Sequence, residues 1–370
     1  MAQQKPLKIL QMVSGTVVNG ALTHCRLLSG ELAKRGHDVT IACRQGSWIW
    51  SQADDSSLRL VTCPMKRWPI SKVRRFADWV TRESFDVIHT HMSSANLFGV
   101  LLKHLTGIPV VATAHCRHVQ PHWYFNDLVL ANSQATIDFQ KRFNRVPDRR
   151  IELVPCFIDP RFFNRNVAAH AALRRQWRFP ADAQVIVIAG DVCNHKGHWY
   201  LFQALPKLCE QFPRLRVVVV GRFHRRENYC RRLREFQLAN QLAKRVKWIG
   251  LRDNMPEVLS AADIVVQPSL VEAQGMIALE SMAIGTAVIG SATGGLKDSI
   301  QDGWNGILVP TRNSASLFQA AKRLLGDNEQ RKQICENGQT FAQDFSLDST
   351  VSRIEQAFFR VLKHTRLAAA

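Results

Sequence analysis

Asp263-Ile-Val-Val-Gln-Pro-Ser-Leu-Val-Glu-Ala-Gln-Gly-Met-Ile-Ala-Leu-Glu280 reads as a strand, a turn and the opening of a helix. Asp263 to Gln267 is short, β-branched and too apolar for a surface segment, which predicts a buried strand. Pro268 and Ser269 end it. From Gly275 onward Met276, Ile277 and Leu279 bury a helix, and Gly275 itself lets a ligand approach the backbone. The stretch carries two glutamates, Glu272 and Glu280, eight residues apart. Were it helical throughout, they would lie roughly 12 Å apart along the axis. That span suits a ligand with hydroxyls at both ends, because each carboxylate accepts strong hydrogen bonds from a diol. On a solvated helix the same spacing would mean nothing; the apolar flanks argue for a site.

The alternation of β-branched runs with helical runs continues on both sides of this stretch, as in α/β folds. In the first half, strands are expected at Lys8–Met12, Asp38–Ala42, Leu58–Cys63, Asp86–Thr90, Val110–Ala114, Leu128–Ala131 and Ile151–Val154. Helices fall between them, among them Ala21–Arg35, stopped by Gly36, and Ala95–Thr106. A second series comprises Gln184–Ala189, Leu215–Val220, Val246–Ile249, Asp263–Gln267, Ala287–Gly290 and Ile307–Val309. The chain thus reads as two doubly wound halves joined near Asp159–His170, ending in a helical pattern over Leu347–His364. A length of 370 residues is enough for two such domains, each with its own core.

Composition narrows the function classes. No apolar run is long enough to span a bilayer, and the first residues lack the apolar core of a signal peptide, so a cytoplasmic protein is expected. Nine scattered cysteines without a C-x-x-C pair read as reduced thiols. Lysine and arginine total 49 against 30 acidic residues, a formal charge of +19 that attracts polyanions. No nucleic-acid-binding motif accompanies this charge, so nucleic acid is not expected as a partner. An anionic membrane surface is, with the protein peripheral on its inner face. One basic cluster starts at Lys66 and continues through an apolar stripe of Ile70, Val73, Phe76, Ala77 and Val80. It reads either as a core-facing helix with a wet face or as a helix lying on lipid. The other cluster, Arg222, Arg225, Arg226, Arg231, Arg232 and Arg234, reads as a solvated face. Gly15-x4-Gly20 is half a phosphate loop, but Ala21 and Leu22 stand where its lysine and hydroxyl would be. With no G-x-G-x-x-G either, a nicotinamide cofactor is not expected. Cys116, His118 and His122 fit no common zinc spacing.

Pro268-Ser-x2-Glu272-x2-Gly275-x4-Glu280 resembles the E-x7-E signature of retaining glycosyltransferases of family 4. The likeness runs over about residues 7–360 and is densest over 245–310. It implies the GT-B fold: two Rossmann-like domains facing a cleft, with a C-terminal helix crossing back to the first. On this chain that means an acceptor-binding domain over 1–165, a nucleotide-sugar domain over 166–346 and a returning helix over 347–370.

The resemblance also assigns roles. Glu280 would hold ribose hydroxyls and Glu272 sugar hydroxyls near the reacting carbon, with Gly275 and Met276 beside the donor. Gly190-Asp-Val-Cys-Asn-His-Lys-Gly197 corresponds to the family's Gly-Arg-x4-Lys-Gly loop, so Lys196 would face the leaving diphosphate. Asp191 departs from the pattern, which has arginine there; Arg222 or His195 would replace the missing cation. His115, just past a buried strand, would contact the donor sugar. Asn19 and Gly20 would face donor phosphate or acceptor, and the backbone of Leu251 and Arg252 the nucleobase. His89 and His91 end a strand and would line the acceptor side. The implied reaction moves a sugar from a nucleoside-diphosphate sugar to an acceptor hydroxyl, on a glycolipid or saccharide of the cell envelope, without metal or other cofactor. A sugar-nucleotide epimerase on the same fold, or a non-catalytic partner subunit with a decayed donor site, are the alternatives.

Overall fold

The computed structural model describes residues 5–52, 58–63, 65, 69–223 and 227–369. The chain divides into two units, one holding the residues up to Phe157 and from Leu347 onward, the other Ile158–Ser346. The division falls after Phe157 rather than after residue 165, because Ile158 and Phe162 are buried in the core of the second unit. The Ile158 N–H donates to the Phe345 carbonyl at 2.8 Å, which pins the entry and exit of that unit together.

In the first unit, β1 (Lys8–Val13), β2 (Asp38–Cys43), β3 (Arg59–Thr62), β4 (Val87–His91), β5 (Val110–Ala114), β6 (Leu128–Ala131) and β7 (Ile151–Leu153) form one parallel sheet, in the order β3-β2-β1-β4-β5-β6-β7. In the second, β8 (Gln184–Ala189), β9 (Leu215–Val220), β10 (Val246–Gly250), β11 (Ile264–Gln267), β12 (Ala287–Ser291) and β13 (Ile307–Val309) follow the order β10-β9-β8-β11-β12-β13. Parallel neighbours need crossover connections, and the intervening helices supply them while covering both faces. Each order reverses once, between β1 and β4 and between β8 and β11. In open α/β sheets ligands bind beyond the carboxyl ends of the strands at such a reversal.

Two strand starts differ from expectation for one physical reason. Asp86 and Asp263 stand just before β4 and β11 instead of inside them. Each carboxylate accepts from an N–H at the start of the adjoining strand, Asp86 from Lys8 at 2.8 Å and Asp263 from Val185 at 2.6 Å. The terminal helix runs from Leu347 to Ala369. Its Val351, Ile354, Ala357 and Phe358 share a core with Leu28, Leu32 and Val111 of the first unit. Glu355 holds it there through Arg35 at 3.0 Å and His37 at 2.9 Å.

The helix Ile70–Glu83 settles one open alternative. Val73, Ala77 and Val80 are buried and Phe76 is partly buried against the same core, so the apolar stripe faces the protein. Ile70 alone of the stripe is exposed, at 72%. Lys66 to Trp68 lie outside the described residues, as do Arg225 and Arg226. The rest of the second basic cluster is not simply solvated: Arg232 stacks 3.7 Å from the Trp199 ring, and Arg234 lies over Phe223 and Trp248.

Candidate active site

The second unit brings the two loops of the strand-order reversal together. Gly197, with φ +70°, has no room for a side chain: a Cβ would collide with the Pro268 carbonyl oxygen. This close approach lets the loop after β8 lie on the loop after β11, where the Leu270 N–H donates to the His195 carbonyl at 2.7 Å. Lys196 is thereby delivered to Glu272, Nζ to Oε2 at 2.8 Å. The same oxygen accepts from Gln267 Nε2 at 2.8 Å and from Ser269 Oγ at 3.2 Å. Gln267, at the end of β11, is 3% exposed; its Oε1 accepts from the Ala278 N–H at 3.1 Å. One amide therefore ties Glu272 to the first turn of the helix Met276–Ala283. Gly275 precedes that helix with φ +92°, and a Cβ there would strike Leu296.

Glu272 and Glu280 do not share a helix. Only Glu280 is helical, and its surroundings differ from those of Glu272. It is half-buried near Asp159 and Arg161, and no side-chain hydrogen bond joins it among the described residues. Burial, reinforced by the Asp159 carboxylate and opposed by Arg161, pushes its pKa up to about 8. Arg161 is committed to Asp159, with Nε and Nη2 donating to Oδ2 at 2.9 and 2.7 Å. Met276 is partly buried at the start of the helix, whereas Leu251 and Arg252 are exposed just after β10.

Arg222 is not a free cation. Its Nε and Nη2 donate to the two oxygens of Asp191 at 3.0 and 2.7 Å. These hydrogen bonds and the guanidinium charge hold the Asp191 carboxyl below its ordinary range. Backbone bonds explain the meeting: Gly190 N–H to the Val220 carbonyl and Val192 N–H to the Arg222 carbonyl, each 2.9 Å, join the loops after β8 and β9. His195, the other proposed substitute, lies with its Nε2 3.4 Å from the Cys193 sulfur.

In the first unit the side chain of Asn19 caps the helix Gly20–Lys34, accepting from the N–H groups of Ala21 and Leu22 at 3.0 and 3.2 Å. Its amide donates to the Val17 carbonyl at 3.1 Å, so these groups are spent on local structure. Gly20 opens that helix with open space about its Cα. His115 follows β5 but is half-buried and bound on both nitrogens. With Gln11 Oε1 accepting from His91 Nε2 at 2.9 Å, His91 Nδ1 must accept from His115 Nε2 at 3.0 Å. His115 Nδ1 then faces the Cys156 thiol at 3.7 Å.

His89 and His91 are wholly buried and line no surface, contrary to expectation. His24 joins them, stacked on Phe157 at 4.3 Å and edge-on to His115 at 5.1 Å. Burial lowers all four imidazole pKa values, His115 to about 4 and His89 to about 3, with His24 and His91 well below the usual value. Among the described residues, Gln11 Nε2, both His24 nitrogens and His89 Nδ1 have no hydrogen-bond partner. No group of three His, Cys, Asp or Glu among those residues is placed to hold a metal ion.

Sequence reasoning missed Gln267, Gln11 and His24. For Gln267 and Gln11 the signal was present: a glutamine inside an otherwise apolar strand needs a partner there. His24 left none, since one polar residue per helical turn is ordinary.

Comparison with known proteins follows the same division. Residues 18–162 match the family described as Glycosyltransferase Family 4, and residues 170–341 that described as Glycosyl transferases group 1. A D-inositol 3-phosphate glycosyltransferase of Corynebacterium aurimucosum is 28% identical over 308 residues, covering 74% of this chain and 71% of that protein. An uncharacterised glycosyltransferase of Methanocaldococcus jannaschii is 26% identical, covering 87% of this chain and 89% of its own length. Among solved structures, a glycosyltransferase from Rickettsia africae aligns with a TM-score of 0.89 at 19% identity, over 97% of this chain and all (100%) of that one. Anabaena HepE in complex with UDP aligns with a TM-score of 0.85 at 20% identity, over 96% of this chain and 100% of that one.

Proposed function

Because the chain belongs to glycosyltransferase family 4, we propose that it moves a sugar, with retention, from a nucleoside-diphosphate sugar to an acceptor hydroxyl. The observation that carries this reading is the Lys196–Glu272 contact of 2.8 Å beyond the carboxyl ends of β8 and β11. A fixed cation offsets the charge that grows on a departing diphosphate, and a carboxylate beside it accepts sugar hydroxyls. Gln267 and Ser269 hold that carboxylate in place. Glu280 receives the ribose diol. The structural relative HepE has been captured with UDP and with UDP-glucose, which supports a nucleotide donor and favours uridine.

The chemistry needs no protein base. The bond between the anomeric carbon and the phosphate oxygen breaks as the acceptor oxygen bonds to the same face. The acceptor proton passes to the leaving phosphate, and both electron pairs are accounted for. No step calls on a metal. His115 serves the donor sugar only after one nitrogen is released, and the long contact to Cys156 is the weaker of its two.

The acceptor in this reading is a glycolipid or saccharide precursor of the cell envelope. Support comes from the formal charge of +19, which draws the chain to anionic surfaces. A fold shared with the lipopolysaccharide glycosyltransferase WaaG, at a TM-score of 0.73, is compatible with it. No helix among the described residues is long and apolar enough to cross a membrane. In this reading the chain meets the inner face of the membrane peripherally, through its positive charge.

A thermal-shift panel of UDP, GDP, ADP and their sugars tests the donor. A ligand at about 100 times its Kd adds roughly 2.7 kcal/mol to stability. Product analysis of the responding donor, with and without acceptor and with EDTA, follows. Transfer that persists in EDTA is expected. No response to any nucleotide overturns the reading, and a changed sugar released without acceptor replaces transfer with epimerisation.

A further inference from the structure

Asp191, paired with Arg222, departs from the loop pattern that the resemblance implies. The loop after β8 ordinarily offers a diphosphate two cations, whereas here one of those positions is an acid. The structure puts four charges in alternation: Glu272, Lys196, Asp191 and Arg222. Lys196 meets Glu272 at 2.8 Å, and its side chain crosses Gly190, Cδ and Cε lying 3.8 Å from where a Cβ would be. The Lys196 charge therefore reaches Asp191, and Arg222 closes on that carboxylate with two bonds of 3.0 and 2.7 Å. The array is neutral. Among these four described residues, a diphosphate finds a cation only when a carboxylate gives one up.

Of the two carboxylates, Glu272 is the fixed one. It accepts from Lys196, Gln267 and Ser269, and its side chain is 13% exposed. Asp191 is held by Arg222 at a site where both side chains are 46% exposed. Pairs that open to water contribute little to stability and exchange partners at small cost. Arg222 bound to a carboxylate through two parallel N–H groups already has the geometry by which it would grip a phosphate.

We propose that Asp191 is a built-in competitor of the donor: its carboxylate occupies Arg222 in the empty protein, and the diphosphate must displace it to bind. This rests on the donor reading given above. The consequence is selectivity for charge. A nucleoside diphosphate brings enough charge to win Arg222 from one carboxylate, whereas a nucleoside monophosphate brings less and is held back. Asp191 thus sets how strongly the protein prefers the intact donor, and its diphosphate product, over the monophosphate.

Titration calorimetry of the full chain with UDP, GDP, ADP and the corresponding monophosphates tests this in the wild type and in Asp191→Asn. Asparagine keeps the shape and removes the charge. The diphosphate that binds the wild type should bind the variant about tenfold more tightly at low salt, and its monophosphate should gain more than that, so that the preference between them shrinks; equal gains overturn the selectivity part of the proposal. Raising the salt to about 0.5 M should shrink the gain, because the competing pair is exposed. Arg222→Ala should weaken diphosphate binding in the same assay. Both variants should melt in the absence of nucleotide as the wild type does, given the exposure of the pair. Unchanged or weaker diphosphate binding by Asp191→Asn overturns the proposal and makes Asp191 a support for Arg222. Wild-type protein that binds none of these nucleotides removes the donor reading itself, and the competitor with it.

Discussion

Within and just past β1, β4 and β5 the polar groups are neutral and mostly buried, whereas beyond the carboxyl ends of β8 and β11 they are charged and partly open. In the first region four imidazoles pack against one another, two pairs of them edge to face, and bond to Gln11, Thr113 and Cys156, and several of their nitrogens have no partner among the described residues. In the second, two carboxylates and two cations alternate, each bonded within 3.0 Å. Both sit at the reversal of strand order, yet they use opposite physics. Dry neutral groups give fixed shape at a cost in unmade hydrogen bonds. In the second region the exposed Asp191–Arg222 pair costs little to hold and rearranges readily, while Lys196, Gln267 and Ser269 keep Glu272 in place. Substitutions in the second region should therefore cost activity rather than stability, and disturbances of the first should cost stability.

The sharpest break of that comparison lies at Lys196 and Glu272. Lys196→Ala and Glu272→Gln should each lower kcat by about 10²–10³, the usual cost of removing a group aimed at developing charge. The melting midpoint should move by no more than about 1 kcal/mol of stability, since the pair is only partly buried. Steady-state transfer assays beside thermal melts decide it. Variants that unfold while the remaining folded fraction works normally would make the pair a strut.

Acid probes the first region. A histidine whose folded pKa lies below its unfolded value binds a proton only when the chain opens. Its contribution is complete above about pH 6.5 and is lost as pH falls toward the folded pKa. For His115 and His89 that window runs down to about 4 and about 3; for His24 and His91 the direction is the same. Each such group takes away about 1.4 kcal/mol for every pH unit below the window's upper edge. In the second unit burial lowers His198 to about 3 and His170 in the same direction; neither has another buried imidazole beside it among the described residues of the loops after β8 and β11. Hydrogen exchange at pH 7 and pH 5 should show β1, β4 and β5 losing protection while β8 and β11 lose much less. Equal loss in both sheets would dissolve the contrast.

What the sequence disclosed follows from the same difference. The strands were legible because a buried parallel strand must be apolar on both faces, and runs such as Val110–Ala114 and Gln184–Ala189 end where expected. The site loops were legible as loops through their glycines and through the resemblance that gave Lys196 and Glu272 their roles. Partner choice was not legible. Nothing in the spacing tells that Arg222 reaches Asp191, that Asn19 turns back on its own helix, or that His115 spends both nitrogens inside its unit. Each depends on a side chain selecting among several partners within reach, and only packing decides that. Glu280 shows the point most clearly: eight residues from Glu272, it lies among different neighbours, and burial there pushes its pKa up to about 8.

That shift makes the last and smallest test. With a pKa pushed up to about 8, Glu280 is mostly protonated at pH 7. Its folded value lies above the unfolded one, so its contribution to stability is complete at low pH and is lost as pH rises through 8. A ribose diol donating to the carboxyl favours the ionised form and draws the pKa down. Nucleotide binding at pH 7 should then release a proton, at most one per nucleotide, and affinity should climb from pH 6.5 to 8 by at most about tenfold per unit. Calorimetry of the responding nucleotide in two buffers of unlike ionisation heat measures the release. Glu280→Gln should abolish it while binding persists, somewhat weakened. Release that survives in this variant assigns the proton elsewhere, whereas no release from the wild type separates Glu280 from the ribose. Between the two glutamates of the signature, then, the charged one should be read in kcat and the protonated one in the pH dependence of binding.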